Sequence, residues 1–194
     1  MTFPKKTGQI PIYYNHYNTG RPFNGNETML YDIPLKAGQT SLGNTSYWLD
    51  AGFAPQFSFG YGLSYTQFEY ASPAIDRSEY SVEDVIRAEV SLTNKGAREA
   101  VEVVQLYVQD VVGSVTRPVR EFKGFRRVKV APGETVKVQM DLPVQDLAFY
   151  GLDMRKKVEP GDFRLWLASD SASGTPVTFT VRSLVSTKNI FIVL

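Results

Sequence analysis

The side chains that most often carry out covalent or metal chemistry are scarce in this sequence of 194 residues, which has no cysteine and one histidine, His16. Without cysteine there is no thiolate nucleophile, zinc–cysteine site or iron–sulfur cluster. One histidine cannot build a multi-histidine metal site, and a serine–histidine–aspartate triad would have to use His16. The sequence therefore predicts no metal site.

Paired carboxyl groups are the next candidates, because glycoside hydrolysis, for example, uses two of them about 5–10 Å apart. Acidic residues available for such a pair include Asp50, Glu69, Asp110 and Asp170. Nothing in their spacing places any two in one cleft, and most Asp and Glu residues in proteins are solvated surface groups. We therefore name no catalytic residue in this chain.

Residues 15–21, NHYNTGR, concentrate hydrogen-bonding side chains in a predicted loop. Asn15, His16 and Arg21 are candidates for one wall of a pocket that binds a polar ligand. The alternative, which the sequence favours, is a loop held by its own Asn and Thr side chains.

Gly60 and Gly62 raise the possibility of a nucleotide-binding loop. A dinucleotide fingerprint needs three glycines between a strand and a helix, and here the third glycine and the helix are both absent. We interpret the two glycines as a tight turn with backbone conformations that other residues avoid.

A basic run with interleaved Phe122 and Phe125 could bind nucleic acid. However, Arg127 and Lys129 alternate with valines, which is typical of the solvent face of an edge strand. The net charge of the whole chain is only +1, so we expect no nucleic-acid partner. The run consists of Arg117, Arg120, Lys123, Arg126, Arg127 and Lys129.

The elements that would position all these residues are predicted from residue 65 onward, where apolar residues alternate with mostly polar ones that should face water, such as Gln105, Tyr107 and Gln109. Turn signals such as 131–133 (APG) separate six or seven such runs, which indicates an all-β, antiparallel β-sandwich of immunoglobulin or fibronectin III type. We expect one helical turn, at Val144–Tyr150, and an irregular N-terminal extension over residues 1–56. The alternating apolar residues are Ile86, Ala88, Val90 and Leu92; Val104, Leu106 and Val108; Val136, Val138, Met140 and Leu142; Phe163, Leu165 and Leu167; and Val177, Phe179 and Val181.

Six segments resemble, in order, the C-terminal end of family 3 glycoside hydrolases, especially bacterial periplasmic β-glucosidases. They cover the chain from Phe3 to about Val181. The segments are FPKKTGQIPIYYNHYNTGRP, FSFGYGLSYTQFEY, VSLTNKGAREAVEVVQLYVQD, SVTRPVREFKGFRRVKVAPGE, LAFY and VEPGDFRLWLASDSA.

The resemblance implies a three-part parent enzyme with a catalytic (β/α)8 barrel, an α/β sandwich domain and a fibronectin III-like domain. Residues 1–56 would be the end of the α/β sandwich domain, 57–65 a connector and 66–194 the terminal domain. The connector would be a domain joint whose aromatic surface stays partly exposed in this chain. The residues of that joint are Phe59, Gly60, Tyr61, Gly62, Leu63 and Tyr65.

The same resemblance implies that the parent is a retaining β-glucosidase-like enzyme that releases terminal β-linked glucosyl residues without metal or organic cofactor. The family's nucleophilic Asp and its acid/base Glu lie upstream of this chain. We therefore expect the chain to be inactive alone, to brace its upstream catalytic domains, and to be periplasmic or secreted as part of the parent. We expect no signal peptide and no membrane partner, because the start MTFPKK lacks an apolar core and no run approaches about 18 apolar residues.

Two other functions stay open on the sequence. A stand-alone carbohydrate-binding module could stack sugar rings on Trp48, Trp166 and exposed tyrosines, whereas burial of Trp166 and Tyr107 would count against it. An adhesion domain is the weaker alternative, since the same fold supports many functions.

Overall fold

The computed structural model describes residues 1–10, 12–18, 28–38 and 48–183. Strands dominate the part after residue 67, and the described N-terminal segments are mostly turns and irregular backbone. Within the described ranges, short 3-10 helices lie at Leu30–Asp32 and Val144–Leu147. The strands are β1 (Phe68–Tyr70), β2 (Ala74–Ile75), β3 (Glu79–Tyr80), β4 (Val85–Asn94), β5 (Ala100–Asp110), β6 (Glu121–Val130), β7 (Thr135–Pro143), β8 (Phe149–Tyr150), β9 (Lys156–Lys157), β10 (Gly161–Ala168) and β11 (Val177–Val181).

Two sheets form the predicted β-sandwich. In the first, β4 pairs with β1, β2 and β7, and in the second the order is β3-β11-β10-β5-β6. All of these pairs are antiparallel except β3 with β11, which run parallel over two residues. The prediction of an all-β sandwich is therefore confirmed, with one short parallel pair in a sheet predicted to be wholly antiparallel. Among the described residues, no helix is long and apolar enough to cross a membrane.

The predicted helical turn is shorter than expected. It covers Val144–Leu147 as a 3-10 helix, and Phe149 and Tyr150 instead form strand β8, which pairs with β9. Val144 and Leu147 are buried against the sandwich core. Burial of these two side chains thus stabilises the turn, and extended structure resumes after Leu147.

The core lies between the inner faces of the two sheets, where the alternating apolar residues meet. Burial of this kind contributes about 25 cal/mol per Å² of apolar surface, so the alternation itself stabilises the sandwich. Val136, Met140 and Val177 are partly buried at the margin. The buried members are Tyr80, Ile86, Ala88, Val90, Leu92, Val104, Leu106, Val108, Val130, Val138, Leu142, Val144, Leu147, Phe163, Leu165, Leu167, Phe179 and Val181.

The outer face of the five-stranded sheet is not the water-facing surface that the alternation predicts. Gln105 and Tyr107, which should face solvent, are buried, and so is Trp166 on the neighbouring strand β10. The prediction failed because segments far away in the sequence cover this face. Those segments are the N-terminal extension and the connector.

Between β2 and β3 the chain passes from one sheet to the other, and the Asp76 side chain stabilises this segment. Its Oδ1 atom accepts hydrogen bonds from the hydroxyl of Tyr80 at 2.7 Å and from the backbone N–H of Arg87 at 3.0 Å. Partial burial pushes the pKa of Asp76 up, but these hydrogen bonds outweigh it, so the pKa lies below its ordinary value. Burial and the Asp76 carboxylate together raise the pKa of Tyr80 to about 12.

Replacing Asp76 with asparagine should lower the free energy of unfolding at pH 7 by about 1 kcal/mol, because a charge-assisted hydrogen bond is lost. A depressed pKa stabilises the fold above the unfolded-state value of about 3.9, and this contribution disappears as the pH falls through the lower folded value. The gap between wild type and D76N in urea unfolding should therefore be constant from pH 8 to about 5 and shrink below that.

The matched control is Asp141→Asn on the exposed face of β7, which should change stability little at either pH. A gap between wild type and D76N that widens toward acid pH would contradict this role of Asp76.

Candidate functional site

The connector, residues 57–65, lies on the outer face of the five-stranded sheet, and we call this contact region the connector face. Its centre is the side-chain amide of Gln105. The amide nitrogen donates to the backbone oxygens of Gly60, at 3.0 Å, and Ser169, while the amide oxygen accepts the hydroxyl proton of Tyr107. One buried side chain therefore joins the connector to β5 and to the end of β10.

A group of four aromatic rings surrounds this amide. Tyr14 stacks on Phe59 with ring centroids 4.4 Å apart, and Phe59 meets the ring of Phe122 edge-on at 5.7 Å. Tyr107 lies edge-on to Tyr14 at 6.1 Å and to Phe122 at 5.6 Å. Each such pair adds about 0.5–1.5 kcal/mol beyond burial. The N-terminal extension is thus packed on the sandwich through Tyr14.

The turn after β10 forms the other side of the connector face. The backbone N–H of Ser171 donates to the carbonyl oxygen of Phe59 at 2.9 Å. The hydroxyl of Ser58 donates to the carboxylate of Asp170, also at 2.9 Å. Asp170 also accepts the backbone N–H groups of Ala172 and Ser173. This carboxylate therefore orders a turn, which is a structural use of one of the four acids considered for catalysis.

The basic run divides into two parts with different environments. Arg127 and Lys129 are exposed on β6, which is an edge strand as predicted. Arg120 instead lies 4.2 Å over the ring of Trp166 and donates to backbone oxygens of the turn after β10. Burial lowers the pKa of Arg120, so its ring and carbonyl contacts must offset a desolvation cost.

Arg117 belongs to a second buried group of charges. Its guanidinium lies 4.0 Å over the ring of Phe149, donates to Glu121 at 2.5 Å and approaches Asp110 at 3.6 Å. Burial raises the pKa of Asp110, and the charge of Arg117 opposes that shift. The edge-strand interpretation therefore does not extend to Arg117 and Arg120, whose charges have partners inside the molecule.

Of the predicted ligand-binding residues, Asn15 lies near this group. Asn15 is exposed and lines an open hollow of about 410 Å³ together with Arg117, Glu121 and Tyr150. The Nδ1 atom of His16 is 3.0 Å from the carbonyl oxygen of the adjacent Tyr17, and Arg21 lies outside the described residues. A role of Asn15, His16 and Arg21 in ligand binding stays a prediction.

The two connector glycines differ in their backbone and surroundings. Gly60 has φ +82°, and a Cβ at this position would lie 2.1 Å from the Gln105 side-chain oxygen. Gly62 does not have a positive φ, and a Cβ there would meet nothing within 4 Å. The conformational argument that the sequence suggests for both glycines therefore applies to Gly60 alone.

The other side of the connector faces solvent. The exposed fractions of Tyr61, Leu63 and Tyr65 are 47%, 89% and 91%. An exposed aromatic surface around the connector, expected from the sequence, is thus present. Sequence reasoning singled out residues 57–65 but missed the contact of Gly60 with Gln105, the burial of Tyr107 and the contact of Arg120 with Trp166. An aromatic residue at an outward position of β5 was the one available signal.

Comparisons with known proteins agree with this architecture. A family model of the fibronectin type III-like domain matches residues 102–171. The periplasmic β-glucosidase of Salmonella typhimurium is 37% identical over 89% of this chain and 21% of its own length. A β-xylosidase of Formosa agariphila is 34% identical over 88% of this chain and 21% of its own. The crystal structure of a β-glucosidase from Listeria innocua with glucose superposes with a TM-score of 0.78 at 34% identity, covering 93% of this chain and 23% of that one.

The fold and the domain match define a fibronectin type III-like module. With these relatives, they show that the chain is a C-terminal portion of a family 3 glycoside hydrolase and so one part of a larger enzyme. The chain spans about a fifth of the length of the relatives it matches. Burial of Trp166 and Tyr107 counts against a stand-alone carbohydrate-binding module built on those rings.

Replacing Gly60 with alanine should destabilise the chain by about 2 kcal/mol or more, because alanine avoids positive φ and its methyl group would collide with Gln105. Gly62→Ala is the matched control and should leave stability unchanged or slightly raised. Chemical unfolding of both variants measures the difference. Equal midpoints for the two variants would show that Gly60 does not fix the connector.

Proposed function

We propose that this chain is a structural module that braces the catalytic domains of a β-glucosidase-like enzyme. The parent hydrolyses terminal β-linked glucosyl residues by a retaining mechanism that needs neither metal nor organic cofactor. The name of the Salmonella relative supports a periplasmic or secreted parent. Because this chain matches a β-xylosidase as well as β-glucosidases, we assign the sugar specificity to the catalytic part of the enzyme and not to this module.

The observation that carries the proposal is the two-sided connector. One side is fixed to the sandwich by Gln105 and the ring of Phe59, and the other side presents Tyr61, Leu63 and Tyr65 to solvent. Large exposed apolar side chains grouped in one short segment are typical of an interaction surface. In the larger enzyme, such a surface is suited to contact the domains that precede this one.

The acids considered for catalysis support a structural role as well. Asp50 is 3.9 Å from Lys6, and Glu69 is 2.8 Å from Lys95. Asp110 is paired with Arg117, as described above, and Asp170 orders the turn after β10. Each of these carboxylates lies near a cation or a backbone donor of the described residues, which is compatible with the proposed structural role.

The isolated chain should not hydrolyse 4-nitrophenyl β-D-glucoside or the corresponding β-D-xyloside. Enzymes exceed the uncatalysed rate by about a million-fold or more, so release of nitrophenol by the chain should stay at the buffer rate while an equimolar β-glucosidase gives ready turnover. Hydrolysis by the pure chain at a rate near that of the control enzyme would overturn the proposal.

Binding to polysaccharide distinguishes the main alternative. In gels cast with soluble β-glucan, the chain should migrate as it does in gels without glucan, because the rings of Trp166 and Tyr107 are buried. Glucan-dependent retardation that a Trp48→Ala variant abolishes would instead favour a carbohydrate-binding module.

A further inference from the structure

A groove of about 220 Å³ separates the connector from strand β5. Residues 60–64 form one side, residues 101–103 the other, and residues 169–170 close one end. The lining is mixed: Val101 and Val103, which are 43% and 36% exposed, contribute apolar surface on the β5 side and Tyr61 and Leu63 on the connector side. The polar residues of the lining are Ser64, Glu102, Ser169 and Asp170. The groove therefore lies between the exposed side of the connector and the first residues of β5.

Strand β5 has an unpaired edge along this groove. β10 pairs with β5 only as far as Ala168, opposite Gln105, so β5 before Gln105 has a strand partner only in β6. In the described part of the chain, no strand continues β10 along this edge. The edge is short, about 13 Å for four residues.

The hydrogen-bond pattern shows which backbone groups point into the groove. The backbone N–H of Val111 donates to the carbonyl oxygen of Asp162 in β10. In an antiparallel pair every second residue faces the same neighbour, so residues 109, 107 and 105 of β5 also direct their backbone groups toward β10. Continuing this alternation, Val101 and Val103 direct their N–H and C=O groups to the same side, into the groove. The described residues provide these groups with no backbone partner.

We propose that this groove receives an extended apolar segment from the preceding part of the same polypeptide, which pairs with Val101 and Val103 as an added strand. Strand addition satisfies backbone groups at a free edge, while apolar side chains of the added segment contact the apolar part of the lining. The chain covers only about a fifth of its relatives' length, so the polypeptide that could supply the segment is large. This inference rests on the bracing function proposed above.

Residue-resolved hydrogen exchange in the isolated chain and in the intact parent enzyme tests the pairing. The amides of Val101 and Val103 should exchange at least about tenfold more slowly in the parent. The amides of Glu102 and Val104 point to β6 and should be protected in both, which provides an internal control. Equally fast exchange of Val101 and Val103 in the parent would overturn the proposal. Protection already present in the isolated chain would also overturn it, since this chain would then fill its own groove.

A pair of lysine substitutions provides a second test. Val103→Lys puts a charge on the free edge and should lower the unfolding temperature of the intact parent by several degrees. The control Val112→Lys places the same charge at another exposed valine outside the groove and should not. In the isolated chain, both variants should unfold within about one degree of wild type. Equal effects of both variants in the parent would count against docking at this edge.

The two proposals fail in distinguishable ways. If removing this chain from the parent leaves activity and unfolding temperature unchanged, the bracing function is wrong. If removal destabilises the parent while Val101 and Val103 still exchange freely, the brace stands and the strand pairing is wrong.

Discussion

The requirement that a buried amide be fully hydrogen-bonded organises the part of the molecule outside the core. Gln105 is buried on the face of β5 that points away from the core, where an unpaired amide would cost about 1–3 kcal/mol per group. Its partners are a carbonyl of the connector, a carbonyl beyond β10 and a tyrosine hydroxyl. The path of the connector, the left-handed backbone of Gly60 and the closure of the ring group over Tyr107 all depend on satisfying that one side chain.

The sandwich could be predicted because its information is local. Strands β4 and β10 place apolar residues at every second position, and a period of two fixes which face is buried once two sheets exist. The small differences have local causes too. The two buried residues Val144 and Leu147 complete a single 3-10 turn, and the next pair, Phe149 and Tyr150, can then join β9.

The connector face was only half predictable because it is made by residues distant in sequence. FSFGYGLSY indicated a turn with aromatic flanks. Nothing near Gln105 specifies its contact with Gly60, 45 residues earlier, and nothing near Tyr107 specifies its contact with the still more distant Tyr14. The same limit applies to Arg120, whose partner ring, Trp166, lies on β10. Patterns along one strand show that a residue points outward, but they do not show what it meets there.

The stack of Tyr14 on Phe59 has a consequence for how the polypeptide can be dissected. A cut between residues 56 and 57 respects the predicted organisation along the chain, yet it removes Tyr14, which stacks on Phe59 and packs edge-on against Tyr107. The packed unit therefore includes residue 14 and does not begin at the first strand. A fragment designed for autonomous expression is therefore better bounded by its packing contacts, because the boundary predicted between residues 56 and 57 divides a stacked ring pair.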